Sequence, residues 1–169
     1  MVAGATCLLA TACSGARAPA AETLHVVTPA TSAARSAPAA APRLTLGQAR
    51  VEYSRLSAPF NAAVATVNQD ARSGTTWDKF KADVLAAKAA NQTWAGKVRA
   101  VRWPAGVQPY VDAMLKTEVP AEIRCDNAMA AAGSLQGAAA AFSGDSACRD
   151  STATADKIRS ILHLPPTIG

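Results

Sequence analysis

Trp77, Phe80, Val84, Ala87, Asn91, Trp94, Val98 and Val101 recur at intervals of three and four residues. That interval matches the turn of an α-helix, so these side chains share one stripe. Thr75 and Thr76, just ahead of the stripe, are candidate N-caps, and Asp78 suits the positive end of the helix dipole. A second stripe precedes it: Ala49, Tyr53, Leu56, Phe60, Ala63, Val64, Val67 and Ala71, ending near Ser73-Gly74, with a bend expected at Pro59. Much of the apolar half of the composition is Ala, the best helix former and a poor strand residue. Aromatics make up only 5 %, so the core is expected to be thin and helical.

Trp103-Pro104-Ala105-Gly106 breaks the chain, and Pro109 suits the first turn of a third helix. Its stripe runs through Val107, Tyr110, Val111, Met114, Leu115, Ala121, Cys125, Ala128, Met129 and Ala132, with a kink expected at Pro120. Two places compete for the next turn, Gly133–Gly137 and Ser143–Ser146. The later one is preferred for the loop chemistry of Ser143-Gly144-Asp145-Ser146. A last helix carries Cys148, Thr152, Ala155, Ile158, Ile161 and Leu162 and stops before Pro165-Pro166. The expected fold is all-α: an antiparallel four-helix bundle over residues 44–164, with 165–169 a frayed tail.

The bundle is expected to sit behind a disordered Ala/Pro-rich N-terminal tether. Residues 14–43 are rich in Ala, Pro, Ser and Thr, and Pro19, Pro29, Pro38 and Pro42 interrupt any helix. Such a segment buries too little apolar surface to offset its ordering entropy. Leu24-His25-Val26-Val27 is a small apolar island within it, a short strand or docking motif at most.

Before the tether, Met1–Ala12 is uncharged and apolar in character, and small residues flank Cys13. The run Leu9-Ala10-Thr11-Ala12-Cys13 resembles the lipobox of bacterial lipoproteins, in which the cysteine at the cleavage point carries the lipid. The resemblance implies that 1–12 is a signal peptide, that Cys7 leaves with it, and that Cys13 is lipidated. Ala10 stands where that family prefers Leu, and no basic residue precedes Arg17, so translation is expected to begin upstream of Met1. Acyl chains at about 0.8 kcal/mol per buried methylene would hold residues 13–43 and the domain at the membrane. The competing reading is a buried or disordered apolar N-terminus. The later chain is similar to small helical lipoproteins of high-GC Gram-positive bacteria. That likeness rests on Cys13-Ser14-Gly15, on Trp103-Pro104 with Val107-Gln108-Pro109, and on Ile158–Pro166. It carries no activity with it.

Outside the cytoplasm, the two remaining cysteines, Cys125 and Cys148, are expected to pair. This competes with the later turn. A turn near Ser143 leaves Cys125 about five helical turns down the third helix, out of register with Cys148. A turn at Gly133–Gly137 aligns them.

The formal charge of +5 is spread along the helices, with Arg and Lys interleaved with Asp and Glu. No arginine-rich run or aromatic ladder of the nucleic-acid-binding kind occurs, so no nucleic-acid partner is expected. The basicity reads as a solvated surface, with weak attraction to anionic lipid or cell-wall polymer as the functional alternative.

The histidines are His25, in the tether, and His163, at the end of the last helix. No metal-spaced cluster, glycine-rich phosphate loop or GxSxG is present, so no metal, cofactor or catalytic residue is expected. Asp83, Asp112, Glu118 and Glu122 read as solvated faces or salt-bridge partners rather than an acid pair. Asn91 is the polar residue of its stripe, either setting register or holding a ligand. Trp77, Trp94 and Trp103 read first as packing anchors. The leading functional expectation is a non-enzymatic binding or structural module at the cell envelope, with a membrane and an envelope protein or cell-wall polymer as partners. The alternative is a small-molecule carrier with an interhelical cleft built from Tyr53, Trp77, Trp94, Tyr110 and Met114, and Asn91 as a polar contact.

Overall fold

A computed structural model describes residues 41–149 and 152–166. Residues 1–40, which hold the expected signal segment, Cys7, Cys13, His25 and most of the expected tether, lie outside the described residues, as do 150–151 and 167–169. Every regular element among the described residues is helical. They are α1 (Leu46–Ser73), α2 (Trp77–Ala100), α3 (Gln108–Lys116), α4 (Glu118–Ala131), α5 (Leu135–Gly144), α6 (Ser146–Arg149) and α7 (Ala153–Ile161). No helix of these is long and apolar enough to cross a membrane.

The first two helices match their stripes. Thr45 and Gln48 form a capping box at the start of α1: the Gln48 amide N–H donates to Thr45 Oγ1 at 3.3 Å, and the Thr45 N–H donates to Gln48 Oε1 at 2.9 Å. Gly74 ends the helix in the left-handed region, φ 66°, where a side chain would be strained. Pro59 lies on the exposed side of an α1 that runs through it without a break. Thr76 caps α2, accepting from the Lys79 N–H. Lys79 then reaches back to Asp70 at 2.5 Å and forward to Asp83 at 2.8 Å, tying the end of α1 to the first turns of α2.

The third stripe departs from one kinked rod. It divides at Thr117, which ends α3 and opens α4. Pro120 explains the position of the break. Its missing N–H cannot bond the carbonyl four residues back, and its ring crowds that carbonyl. Placed in the first turn of a new helix, the proline forfeits no hydrogen bond, since those donors have no intrahelical partner anyway.

The preference for a turn at Ser143–Ser146 is corrected. The main turn falls at Ala132-Gly133-Ser134, with Gly133 at φ 77° and Ser134 capping α5 through its hydroxyl, which accepts the Gly137 N–H at 3.1 Å. Gly137 must be small as well, because a Cβ there would sit 2.7 Å from the Ala132 carbonyl oxygen. Asp145 only separates α5 from the short α6. The last stripe is likewise divided, into α6 and α7. Cys125 on α4 and Cys148 on α6 form a disulfide, with Cα atoms 5.6 Å apart. The early turn is what brings α6 back to α4.

α1 packs on α2, α2 on α4, α4 on α5, and α3 on α7. The larger core cluster gathers Tyr53 and Leu56 of α1, Trp94 and Val98 of α2, Val111 and Met114 of α3, and Ile158 of α7 around Trp103. A smaller cluster, Phe80, Val84, Ala130 and Ala138, sits towards α5, with Val67 and Trp77 against it. The second cluster is poor in large side chains, as an Ala-rich sequence requires.

A candidate cleft between the helices

Where α1, α2, α3, α4 and α7 converge, a cleft opens beside the larger core. Tyr53, Ser57, Phe60 and Asn61 of α1 form one wall, Trp94 of α2 and Met114 of α3 sit at the base, and Glu118, Val119 and Glu122 of α4 face Thr152, Ala155 and Arg159 across it. The base is held by ring packing. Tyr53 meets Trp94 edge-on with centroids 6.4 Å apart, and Phe60 stacks on Trp94 at 5.5 Å. The Trp94 indole N–H donates to Ser57 Oγ at 3.2 Å, which accounts for a serine buried on an otherwise apolar stripe. Burial pushes the Tyr53 hydroxyl up to about 12, against the pull of Arg159, so it stays protonated throughout the physiological range.

Of the residues expected to line a cleft, the structure brings together Tyr53, Trp94 and Met114. Trp77 is elsewhere, tilted against Phe80 in the smaller cluster. Tyr110 packs half-buried on the larger cluster without lining the cleft. Asn91 lies beneath the surface, fully buried, and its Nδ2 donates to Glu122 Oε2 at 2.7 Å.

The α4 carboxylates are the residues that pattern reading misplaced. Glu118 is only 9 % exposed, so it is no solvated face. Its two oxygens accept the Thr154 and Ala155 N–H groups at 2.6 and 3.2 Å. The side chain thus caps the start of α7 from another helix, placing negative charge at the positive end of that helix. Glu122, one turn on, is half-buried. Burial raises its carboxyl to about 7, the Asn91 amide opposing, with Asp126 and Glu118 adding to the rise. Burial also lifts Asp126 to about 6, Lys88 opposing. Among the described residues, no Lys, Arg or His is in ion-pair contact with Glu118 or Glu122. Asp83 and Asp112 fit the original reading: Asp83 pairs with Lys79, and Asp112 accepts from Gln108. Among the described residues, one carboxylate–thiol grouping has metal-like spacing, Cys125, Asp145 and Cys148, and its two sulfurs are joined in the disulfide.

No family model, curated protein or solved structure matches the chain. The chemistry of the cleft therefore rests on its own geometry. Its free volume is about 40 Å³, room for about three waters and far below the several hundred Å³ of a typical ligand pocket. The cleft is a narrow, partly polar slot between packed helices.

The Glu118 cap is open to test. Glu118→Ala strands two helix N–H groups and is expected to cost about 1–3 kcal/mol. Glu118→Gln keeps an acceptor and is expected to cost less than half as much. Urea unfolding measures the totals, and hydrogen exchange at Thr154 and Ala155 localises them. Equal losses in the two variants would mean that charge, not the hydrogen bonds, carries the effect.

Proposed function

We propose that this chain is a lipid-anchored extracytoplasmic module that works by binding at the cell envelope and not by catalysis. The observation that carries the reading is the Cys125–Cys148 disulfide. Structural disulfides persist in oxidising compartments and are rare where glutathione and thioredoxin keep thiols reduced. An exported chain needs a signal and a place to stay, and the lipobox-like run ending at Cys13 supplies both. With α3–α4 taken as one interrupted arm and α5–α7 as another, the domain reads as an antiparallel four-helix bundle. The partners in this reading are the membrane, through the acylated Cys13, and an envelope protein or cell-wall polymer met by the basic helical surface.

The second reading, a small-molecule carrier, draws on the cleft formed by Tyr53, Trp94 and Met114. Its volume argues for the first reading, since an organic ligand would require the helices to part.

The test is mass analysis of the N-terminal peptide from native membranes. Diacylglyceryl-modified Cys13 with residues 1–12 removed is the expected result. A soluble cytosolic product with Cys13 unmodified and its thiols reduced would overturn both the anchor and the compartment.

A further inference from the structure

Asn91 presents an anomaly in the seam between α2 and α4. Its amide nitrogen is used, but its Oδ1 is buried from solvent and has no hydrogen-bond partner. A buried acceptor left without a donor forfeits its hydration with nothing in return. The group that the amide already touches is Glu122. An ionised carboxylate only accepts, so it can take the Nδ2 hydrogen but offers nothing to Oδ1. A protonated carboxyl has a hydroxyl to donate. A primary amide and a carboxylic acid then close a cyclic pair: N–H to the acid carbonyl, and acid O–H to the amide oxygen. The proton comes from solvent, and one new hydrogen bond is made in the seam.

We propose that the Asn91–Glu122 pair is a proton-operated latch between α2 and α4, closed by two hydrogen bonds when Glu122 is protonated and reduced to one when it is ionised. The acidic neighbours on its own helix favour the protonated form, and the cations nearby, Lys88 and Arg159, act against it. On α4, Glu118 lies one turn before Glu122 and Asp126 one turn after, and both repel a negative charge there. From α2, Lys88 offsets Asp126, and its ammonium donates to Asn127 at 2.9 Å. Across the cleft stand Tyr53 of α1 and Arg159 of α7, whose guanidinium Nε donates to the Pro165 carbonyl. α3 contributes the neutral Met114.

The direction with pH follows from proton counting. An unfolded Glu titrates near 4.5 and the folded Glu122 near 7, so between these values the folded chain holds the extra proton. Stability therefore falls as pH rises through that window and stays lower above it. Because Glu122 also lines the cleft, the same proton removes one of the two negative charges, Glu118 and Glu122, on that wall.

Two measurements on the full chain test this. In a carbon-13 NMR titration, the Glu122 carboxyl is expected to move with a midpoint well above an ordinary Glu. Native-state hydrogen exchange, corrected for intrinsic rates, is expected to show about tenfold more protection of the amides of 88–95 and 122–129 at pH 5.5 than at pH 8.5. E122Q, whose amide can make both bonds at every pH, is expected to hold the high protection throughout. A Glu122 titrating like an exposed carboxyl, or pH-independent protection in the unaltered protein, would overturn the latch with no variant needed. PH dependence that survives E122Q but disappears in D126N would assign the proton to Asp126 and overturn it as well. None of these outcomes depends on the state of Cys13.

Discussion

Trp103→Ala is expected to lower the stability of the domain by about 3–5 kcal/mol, the range for emptying a large aromatic site in a packed core. Trp103 has no exposed surface and belongs to no helix. It sits in the connection between α2 and α3, where its ring meets Tyr53 edge-on at 5.9 Å. Its indole N–H donates to the Val98 carbonyl at 2.9 Å, one of the last acceptors of α2. Its own carbonyl accepts from Arg43 at 2.8 Å, just beside the bond from the Leu44 N–H to the Arg102 carbonyl at 2.9 Å. One residue thereby joins the entry of α1, the end of α2 and the start of α3. Trp103→Phe keeps most of the ring and gives up the N–H, so it is expected to cost about 1–2 kcal/mol, near the value of a buried hydrogen bond plus a small void. Urea unfolding of both variants reads the two numbers. A loss under about 1.5 kcal/mol for the alanine variant would show that the connection collapses to fill the space and that Trp103 is no keystone.

The helices were legible because their information is local. The stripes through Tyr53 and Leu56, and through Phe80, Val84, Asn91, Trp94 and Val98, are buried as their spacing requires. The stripe on α1 drifts at its far end, where Ala71 is exposed and Asp70 is buried instead. A buried aspartate is tolerable only because Lys79 covers it from the next helix, a partner that a periodicity within α1 cannot see. At Pro120 the sequence marks a disruption but not its form. Kink and restart are both compatible with the residues, and packing against α2 and α7 decides for the restart at Thr117. The turn at Gly133 carried its own sign in the glycine pair. It lost the comparison because the Ser-Gly-Asp-Ser run is richer in loop residues, although the cysteine register already pointed the other way.

Little of the cleft could be read in advance, for a physical reason. The partners of Glu118 are the backbone N–H groups of Thr154 and Ala155, and backbone amides have no sequence identity. A glutamate that caps a distant helix looks on paper like a glutamate in water. One trace was available: Glu118, Glu122 and Asp126 recur at four-residue spacing, and they lie next to the buried Ala121 and Cys125. Acidic residues flanking the core stripe at helical spacing are poorly placed for solvation. Trp77 shows the converse error, in which aromatic character was read as shared location. It lies at the start of α2 and Trp94 nearer its end, and the two serve different core clusters.

Removing the disulfide is expected to produce the second large effect, with a pattern that identifies its cause. Cys125 and Cys148 lie 23 residues apart, and closing such a loop in the unfolded chain is worth about 3 kcal/mol on the chain-entropy account. For a domain of this size that corresponds to a fall in Tm of about 10 °C. Both cysteines are nearly buried, so the double alanine variant is preferable to serine, which would leave two hydroxyls in apolar surroundings. The loss should not be uniform. The closed loop contains α5, whose one buried side chain is Ala138, and the cluster beneath it relies on Ala130 and two residues of α2. With only Ala138 buried and Leu135 partly so, apolar burial at about 25 cal/mol per Å² holds such a helix weakly. Hydrogen exchange in the variant is therefore expected to rise first and furthest in α5 and α6, with α1 and α2 following only the global change. Chemical reduction of the unaltered protein should reproduce that order. Uniform loss of protection across all helices would mean that α5 is integral to the core and that the bridge acts on the unfolded chain alone.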